Sequence, residues 1–183
     1  RHKIIKNFFH HTRASKRAPF EDGLRTPILF RWDKQIISDR HELLCSSVDI
    51  VPTLLHLTGE SQKAKALPGI NLLDADVRKR NADRAVFGEI YPGDATSLGH
   101  PSRDVAYRWV RQGNFKLILP QGNNPWGNYL NQPALFNLAQ DPGEKENLHL
   151  QASSQTRVKA LRRLLENWWQ PGDDATVPKP PVN

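Results

Sequence analysis

The sequence predicts an α/β protein ending in a small four-stranded antiparallel sheet that is covered by a C-terminal helix. Three observations carry this. Residues 28–32 (Ile-Leu-Phe-Arg-Trp) form a short apolar run suited to a strand buried inside a larger sheet. Residues 105–111 alternate, turn at Gln112-Gly113-Asn114 and continue into a β-rich run at 115–119, which is a hairpin signal. Val158, Leu161, Leu165 and Trp168 recur at helical spacing and give one apolar face.

The first fifteen residues are basic and aromatic without a clear period and read as a loop. Turn formers crowd residues 16–27, and Pro27 is tolerated at the start of the 28–32 strand because a first residue need not donate to the ladder. A compact helix follows. Asp49 is placed to cap it, Pro52 falls in its first turn and Gly59 ends it, with Ile50, Leu54 and Leu57 on one face. Residues 60–66 are a polar connection, and 67–73 form a turn with a small apolar plug. From Ala85 the character changes to strands, expected at 85–91, 105–111, 115–119 and 134–138, the last closed by the turn Asp141-Pro142-Gly143-Glu144. A sheet of this kind has one face needing cover. The helix from about 154 to 169 supplies it, with Ser153 or Ser154 as cap and Pro171-Gly172 as stop. Trp168 and Trp169 are expected to close this small core, one ring partly exposed. Residues 171–183 read as a disordered tail.

The formal charge of +7, from 26 Lys and Arg against 19 Asp and Glu, favours anionic partners in general. The basic residues are diffuse and are not interleaved with aromatics, so no nucleic-acid partner is expected. No apolar run approaches the ~20 residues that span a bilayer, and no membrane partner is expected. Cys45 is the only cysteine, which rules out an intrachain disulfide and a cysteine-rich zinc site. With no methionine in the chain, Arg1 is expected to be internal to a longer polypeptide or to follow processing.

Several segments, in this order, resemble the formylglycine-dependent sulfatases of the alkaline phosphatase superfamily. Lys16, Phe20, Glu21, Gly23, Arg25 and Pro27 fill the anchors of a motif Lys-x-x-x-(Tyr/Phe)-Glu-x-Gly-x-Arg-x-Pro. Val48-Asp49-Ile50-Val51-Pro52-Thr53 is similar to the family's Val-Asp-x-x-Pro-Thr helix, and Leu67-Pro68-Gly69 with Leu72-Leu73 to its next turn. Phe115-Lys116-Leu117 resembles the strand usually ending Tyr-Lys-Leu. Leu135-Phe136-Asn137-Leu138, with Asp141-Pro142-Gly143-Glu144 and Asn147-Leu148, resembles the closing strand and turn. The likeness runs from about Lys16 to Trp169. It implies the C-terminal part of an alkaline phosphatase-like sandwich. Residues 1–84 would be the end of the catalytic α/β domain, 85–170 a small antiparallel-sheet subdomain with its helix, and 171–183 the tail.

The resemblance implies an enzyme that hydrolyses sulfate esters of aryl or carbohydrate substrates, using formylglycine and calcium. The (Cys/Ser)-x-Pro-x-Arg motif that yields formylglycine is missing, since Cys45 is followed by Ser46-Ser47-Val48-Asp49. The calcium-binding Asp-Asn-Gly or Asp-His-Gly segment is missing too. Both are expected N-terminal to the lysine motif, so the remainder of the catalytic domain is an expected partner and the fragment alone is expected to be inactive. A secreted or periplasmic setting is implied.

Lys16 is the catalytic candidate, because a fixed ammonium stabilises charge developing on a sulfate in transfer. Glu21 and Arg25 are expected to hold each other or the loop, since a charge leaving water needs a partner. Gly23 is expected to supply a backbone conformation other residues resist. His100 and Arg103, in a long polar loop between strands, are candidates for contacting the organic part of a sulfated small molecule or glycan. His10, His11 and Trp126 are weaker candidates of the same kind, and His56 reads as a packing histidine. Two alternatives remain: a phosphodiesterase or phosphonate hydrolase of the same superfamily, and a non-catalytic module binding anionic glycans.

Overall fold

A computed structural model describes residues 14, 16–91, 93–96, 98–121 and 129–169. His10, His11, Trp126, the N-terminal loop up to residue 13 and the tail 171–183 lie outside the described residues. The elements are α1 (Glu21–Leu24), α2 (Ile50–Leu57), α3 (Ser61–Ala64), α4 (Ala75–Arg80), β1 (Ala85–Ile90), β2 (Tyr107–Gln112), β3 (Phe115–Pro120), β4 (Ala134–Asn137) and α5 (Gln155–Trp168). They fall into two compact units. One comprises the described residues up to Pro27 together with those from Phe87 onward, and the other is Ile28–Val86. Residues 16–27 thus pack with the sheet.

The sheet has strand order β1-β2-β3-β4, as the hairpin signals predict. Gln112 pairs with Phe115, leaving a two-residue loop whose Gly113 has φ +55°. A left-handed first position is what a type II′ hairpin loop demands, and glycine adopts it without steric cost. The register places Tyr107, Trp109 and Arg111 opposite Pro120, Ile118 and Lys116. Ile118 and Lys116 in turn face Ala134 and Phe136. These side chains share one face of the sheet. Arg108, Val110, Leu117 and Leu135 occupy the other.

The helix covers that second face. α5 packs on β2 and β3, burying Val158, Leu161 and Leu165, each worth about 1.5–3 kcal/mol of hydrophobic stabilisation. The Arg157 guanidinium lies 4.7 Å from the Phe115 ring centre. Trp168 stacks on Phe87 at 5.3 Å and remains 41% exposed. The Arg108 guanidinium donates to the Trp169 carbonyl at the helix C-terminus, where a cation is favoured. Ser154 stands at the N-cap without a capping bond from its hydroxyl, and the turn Ala152–Ser154 leads into the helix instead.

The first face is covered too, which the alternating pattern did not predict. Ala18 and Phe20 are buried in a cluster with Ile90, Tyr107, Ile118, Ala134 and Phe136. Phe20 meets Phe136 and Tyr129 edge-on at 6.3 and 6.2 Å. β3 is therefore buried on both faces from Lys116 to Leu119, and its unbroken run Leu117-Ile118-Leu119 is the signature of such a strand. Gly88 of β1 lies beneath the Trp109 indole, where an added Cβ would fall 2.6 Å from a ring atom.

β4 is the last strand, and its outer edge is satisfied by the segment after it. Asn147 accepts the Leu135 N–H (3.0 Å) and donates to the Pro133 carbonyl (3.1 Å), while the Leu148 N–H donates to the Leu135 carbonyl (2.9 Å). This pairing fixes where the Asp141–Glu144 turn sits.

In the unit Ile28–Val86 three expectations are corrected. Residues 28–32 are not a strand, and Leu29 and Trp32 are 88% and 47% exposed. An apolar run becomes a strand only where a ladder receives its N–H and C=O groups, and the sheet order leaves it no place. Asp49 does not cap α2. It is fully buried, accepting N–H bonds from Ser46 and Ile70 (both 2.8 Å) and a fork from Arg84 at 2.9 and 3.1 Å. α2 buries Pro52 and Thr53, while Leu54 is exposed, because only the side toward the 67–73 turn is covered in this unit. There the Thr53 hydroxyl donates to the Asp49 carbonyl (2.7 Å) and accepts the Leu72 N–H (3.0 Å). His56 is exposed, with Nδ1 2.8 Å from the Pro52 carbonyl oxygen.

Candidate functional site

The lysine motif is set on the sheet by its own sequence. Lys16 and Arg17 are exposed and form a turn, with Arg17 in the left-handed region at φ 76°. The chain then dives inward, and Ala18, Pro19 and Phe20 are all buried. Glu21 starts α1 immediately afterwards. Four residues thus separate an exposed ammonium from a rigid anchor.

The anchor is a buried charge cluster. The Lys116 ammonium, with no exposed surface, lies 3.0 Å from Glu144 Oε1 and 3.1 Å from Glu21 Oε1. The Arg111 guanidinium donates to Glu21 Oε2 at 2.6 Å. The Glu21 backbone N–H donates to Glu144 Oε2 at 2.6 Å, so that Glu144 satisfies a free N–H at the start of α1. The Trp109 ring centre lies 5.7 Å from the Lys116 nitrogen. Burial pushes the Glu144 carboxyl up from its ordinary value, against the pull of Lys116 and of the Glu21 N–H. Glu144 also holds a left-handed backbone, φ 52°.

Sequence reasoning singled out Glu21 and missed its partners. It pairs with Arg111 and Lys116, while Arg25 is exposed. Gly23 lies within α1, in helical backbone open to any residue. A lysine beside the apolar run of β3 and a carboxylate ending the Asp-Pro-Gly-Glu turn were the available signals for Lys116 and Glu144, each uninformative alone.

His100 and Arg103 are exposed; His100 precedes the short turn Pro101–Arg103 between β1 and β2, and Arg103 ends it. The same loop is braced by Asp104, which accepts the Thr96 N–H (2.9 Å) and hydroxyl (2.6 Å). A cavity of about 380 Å³ lies beside it, lined by Tyr91, Ala95, Leu98, Pro101 and Asp104 among others. Neither His100 nor Arg103 lines this cavity. Its loop and the lysine motif share one foundation, since Ile90 belongs to the same buried cluster as Ala18 and Phe20. Among the described residues no group of three or more His, Cys, Asp or Glu side chains could hold a metal ion. Among the described residues the calcium implied by the resemblance thus finds no donor set.

Residues 10–170 match the family described as "N-sulphoglucosamine sulphohydrolase, C-terminal". The chain belongs to this sulfatase family. Arylsulfatase A of Bos taurus is 29% identical over 169 residues, covering 83% of this chain and 31% of the relative. An ulvan-active sulfatase of Formosa agariphila is 24% identical over 192 residues, covering 90% of this chain and 32% of the relative. The sulfatase chain thus spans about a third of the length of these curated relatives. The crystal structure of Ps i-CgsB superposes with a TM-score of 0.55 at 22% identity, covering 86% of this chain and 35% of that one, which shows a shared fold. No helix among the described residues is long and apolar enough to cross a membrane.

Proposed function

We propose that this chain is the C-terminal part of a sulfuric ester hydrolase and that it supplies Lys16 to the sulfate group of an aryl or carbohydrate substrate. The observation that carries this is the contrast along the lysine motif: Ala18, Pro19 and Phe20 are buried and Glu21 is ion-paired, yet Lys16 is exposed. A solvated loop lysine needs no such mounting. A charge that must meet a transferring anion at a fixed point does. Formylglycine and calcium would come from polypeptide N-terminal to Arg1, and the remainder of the catalytic domain would cover apolar side chains such as Leu29, Ile37 and Val51, which are 88%, 90% and 52% exposed. His100 and Arg103 would contact the organic part of the substrate. The setting would be secreted or periplasmic. The domain division would be that expected from the sequence, with the lysine motif laid against the small subdomain.

Lys16→Ala in the complete enzyme should lower kcat and kcat/KM together by about 10²–10³, equivalent to roughly 2.7–4 kcal/mol, as for deletion of one oxyanion-stabilising donor. Lys16→Arg should not restore full activity, because a planar fork places its charge differently. Arg17→Ala should leave kcat/KM nearly unchanged. Equal small losses from Lys16→Ala and Arg17→Ala would mean that Lys16 is only a surface charge.

A further inference from the structure

We propose that Lys116 and Glu144 are positioning residues for Lys16, holding the lysine motif in place from inside the sheet. The inference rests on the reading of Lys16 given above and deepens it. Three separate stretches of chain converge on Glu21. Arg111 and Lys116 are register partners on β2 and β3, and Glu144 comes from the turn beyond β4. Glu21 is gripped twice, its carboxylate by the two cations at 2.6 and 3.1 Å and its N–H by Glu144 at 2.6 Å. Phe20 could seat the motif by apolar contact alone, but such contact is non-directional and tolerates sliding and rotation. Charge-assisted hydrogen bonds to both the side chain and the backbone of one residue fix its position and direction.

Two further observations indicate a placement role. Glu144 takes a left-handed backbone, which non-glycine residues seldom adopt and which recurs where geometry serves function. Burial also works against its carboxylate, so the cluster is not the arrangement that stability alone would choose. From Glu21 the constraint reaches Lys16 through Phe20, Pro19 and Ala18, all buried, with the ring of Pro19 fixing its own φ. A shift of α1 on the sheet therefore carries Lys16 with it.

The test is a double-mutant cycle in the complete enzyme, with para-nitrophenyl sulfate as probe. The four proteins are wild type, Lys16→Ala, Lys116→Met and the double variant. An error of about 1 Å in placing a reacting group can cost as much as 10²-fold, so Lys116→Met should lower kcat/KM by at least about 10-fold when Lys16 is present. With Lys16 already removed it should cost less than about 2-fold, because residues acting through one another are not additive. A purely structural role would reduce the active fraction equally in both backgrounds, and equal losses would overturn the inference. So would an unchanged kcat/KM in Lys116→Met. If Lys16→Ala itself has no effect, the reading of Lys16 fails and this inference falls with it, an outcome distinct from the first two. Should Lys116→Met not yield folded enzyme, Glu21→Gln enters the same cycle under the same criteria, since Glu21 keeps 17% of its side chain exposed.

Discussion

The energetic signature of the buried cluster can be separated from its catalytic one by denaturation. Lys116→Met removes the ammonium that faces Glu144, 2% exposed, at 3.0 Å and leaves the Glu21 N–H still donating to it. Glu21 then keeps its pair with Arg111. Stranding a buried charge in this way costs about 3–5 kcal/mol. Glu144→Gln is milder. Lys116 still has Glu21 at 3.1 Å, and the amide oxygen can still accept from the α1 N–H, so the loss is about 1.5–3 kcal/mol, as for a hydrogen bond to a charged group. The double variant strands neither charge and should be more stable than the sum of the single losses by about 0.5–3 kcal/mol. Urea unfolding of the purified protein, followed by tryptophan fluorescence, gives each value from the shift in midpoint at constant m. Trp109, 5.7 Å from the Lys116 nitrogen, is a local reporter. Single losses below about 1 kcal/mol that simply add would refute the argument, because solvated pairs behave that way.

Three further outcomes follow from the same structure. Leu161→Ala, at a position with no exposed surface beneath α5, should cost about 2–5 kcal/mol in the same assay, and a loss under 1 kcal/mol would mean that α5 is not fixed on the sheet. Arg84→Met should cost about 3–5 kcal/mol by leaving the fully buried Asp49 without its cation, whereas loss of the exposed Arg31–Asp33 pair through Arg31→Ala should stay within about 1 kcal/mol. His149 is held below its ordinary value by burial and by Arg162, so the unfolded chain binds its proton more readily. Its stabilising contribution is complete above the unfolded value of about 6.5 and is lost as pH falls below it. His149→Asn should flatten the stability profile where it falls away below about pH 6.5, and an unchanged slope would contradict this.

What was legible in the sequence is what short-range pattern encodes. The β2–β3 hairpin could be read because Gly113 marks the loop between two β-rich runs, and α5 because Val158, Leu161 and Leu165 share a face whose spacing depends on no other segment. Residues 28–32 were misread for the converse reason: their apolar character says that burial is wanted, not which ladder supplies it. The second cover of the sheet was hidden by distance along the chain. Glu21 and Lys116 are 95 residues apart, and no local pattern makes a lysine inside an apolar run expect a carboxylate from so far away. The Asp49–Arg84 fork escaped likewise, because Asp49 also fits a helix cap, and a local explanation was at hand.

These long-range pairs bear on why the motif and the sheet belong to one unit. Had the sheet been closed on its first face by apolar side chains only, the lysine motif could have been any segment of suitable hydrophobicity. The face instead presents two cations, Arg111 and Lys116, at paired register positions, and the Glu21 carboxylate meets both of them. Glu21 stands five residues after Lys16. Glu144, held by the turn that Asn147 fixes against β4, closes the ring from the other side. Without the motif, Arg111 and Lys116 lose the Glu21 carboxylate, and Lys116, which has no exposed surface, keeps Glu144 at 3.0 Å. Because Glu144 accepts the Glu21 N–H, a substitution in the Asp141–Glu144 turn can disturb the seat of the lysine motif without touching Lys16.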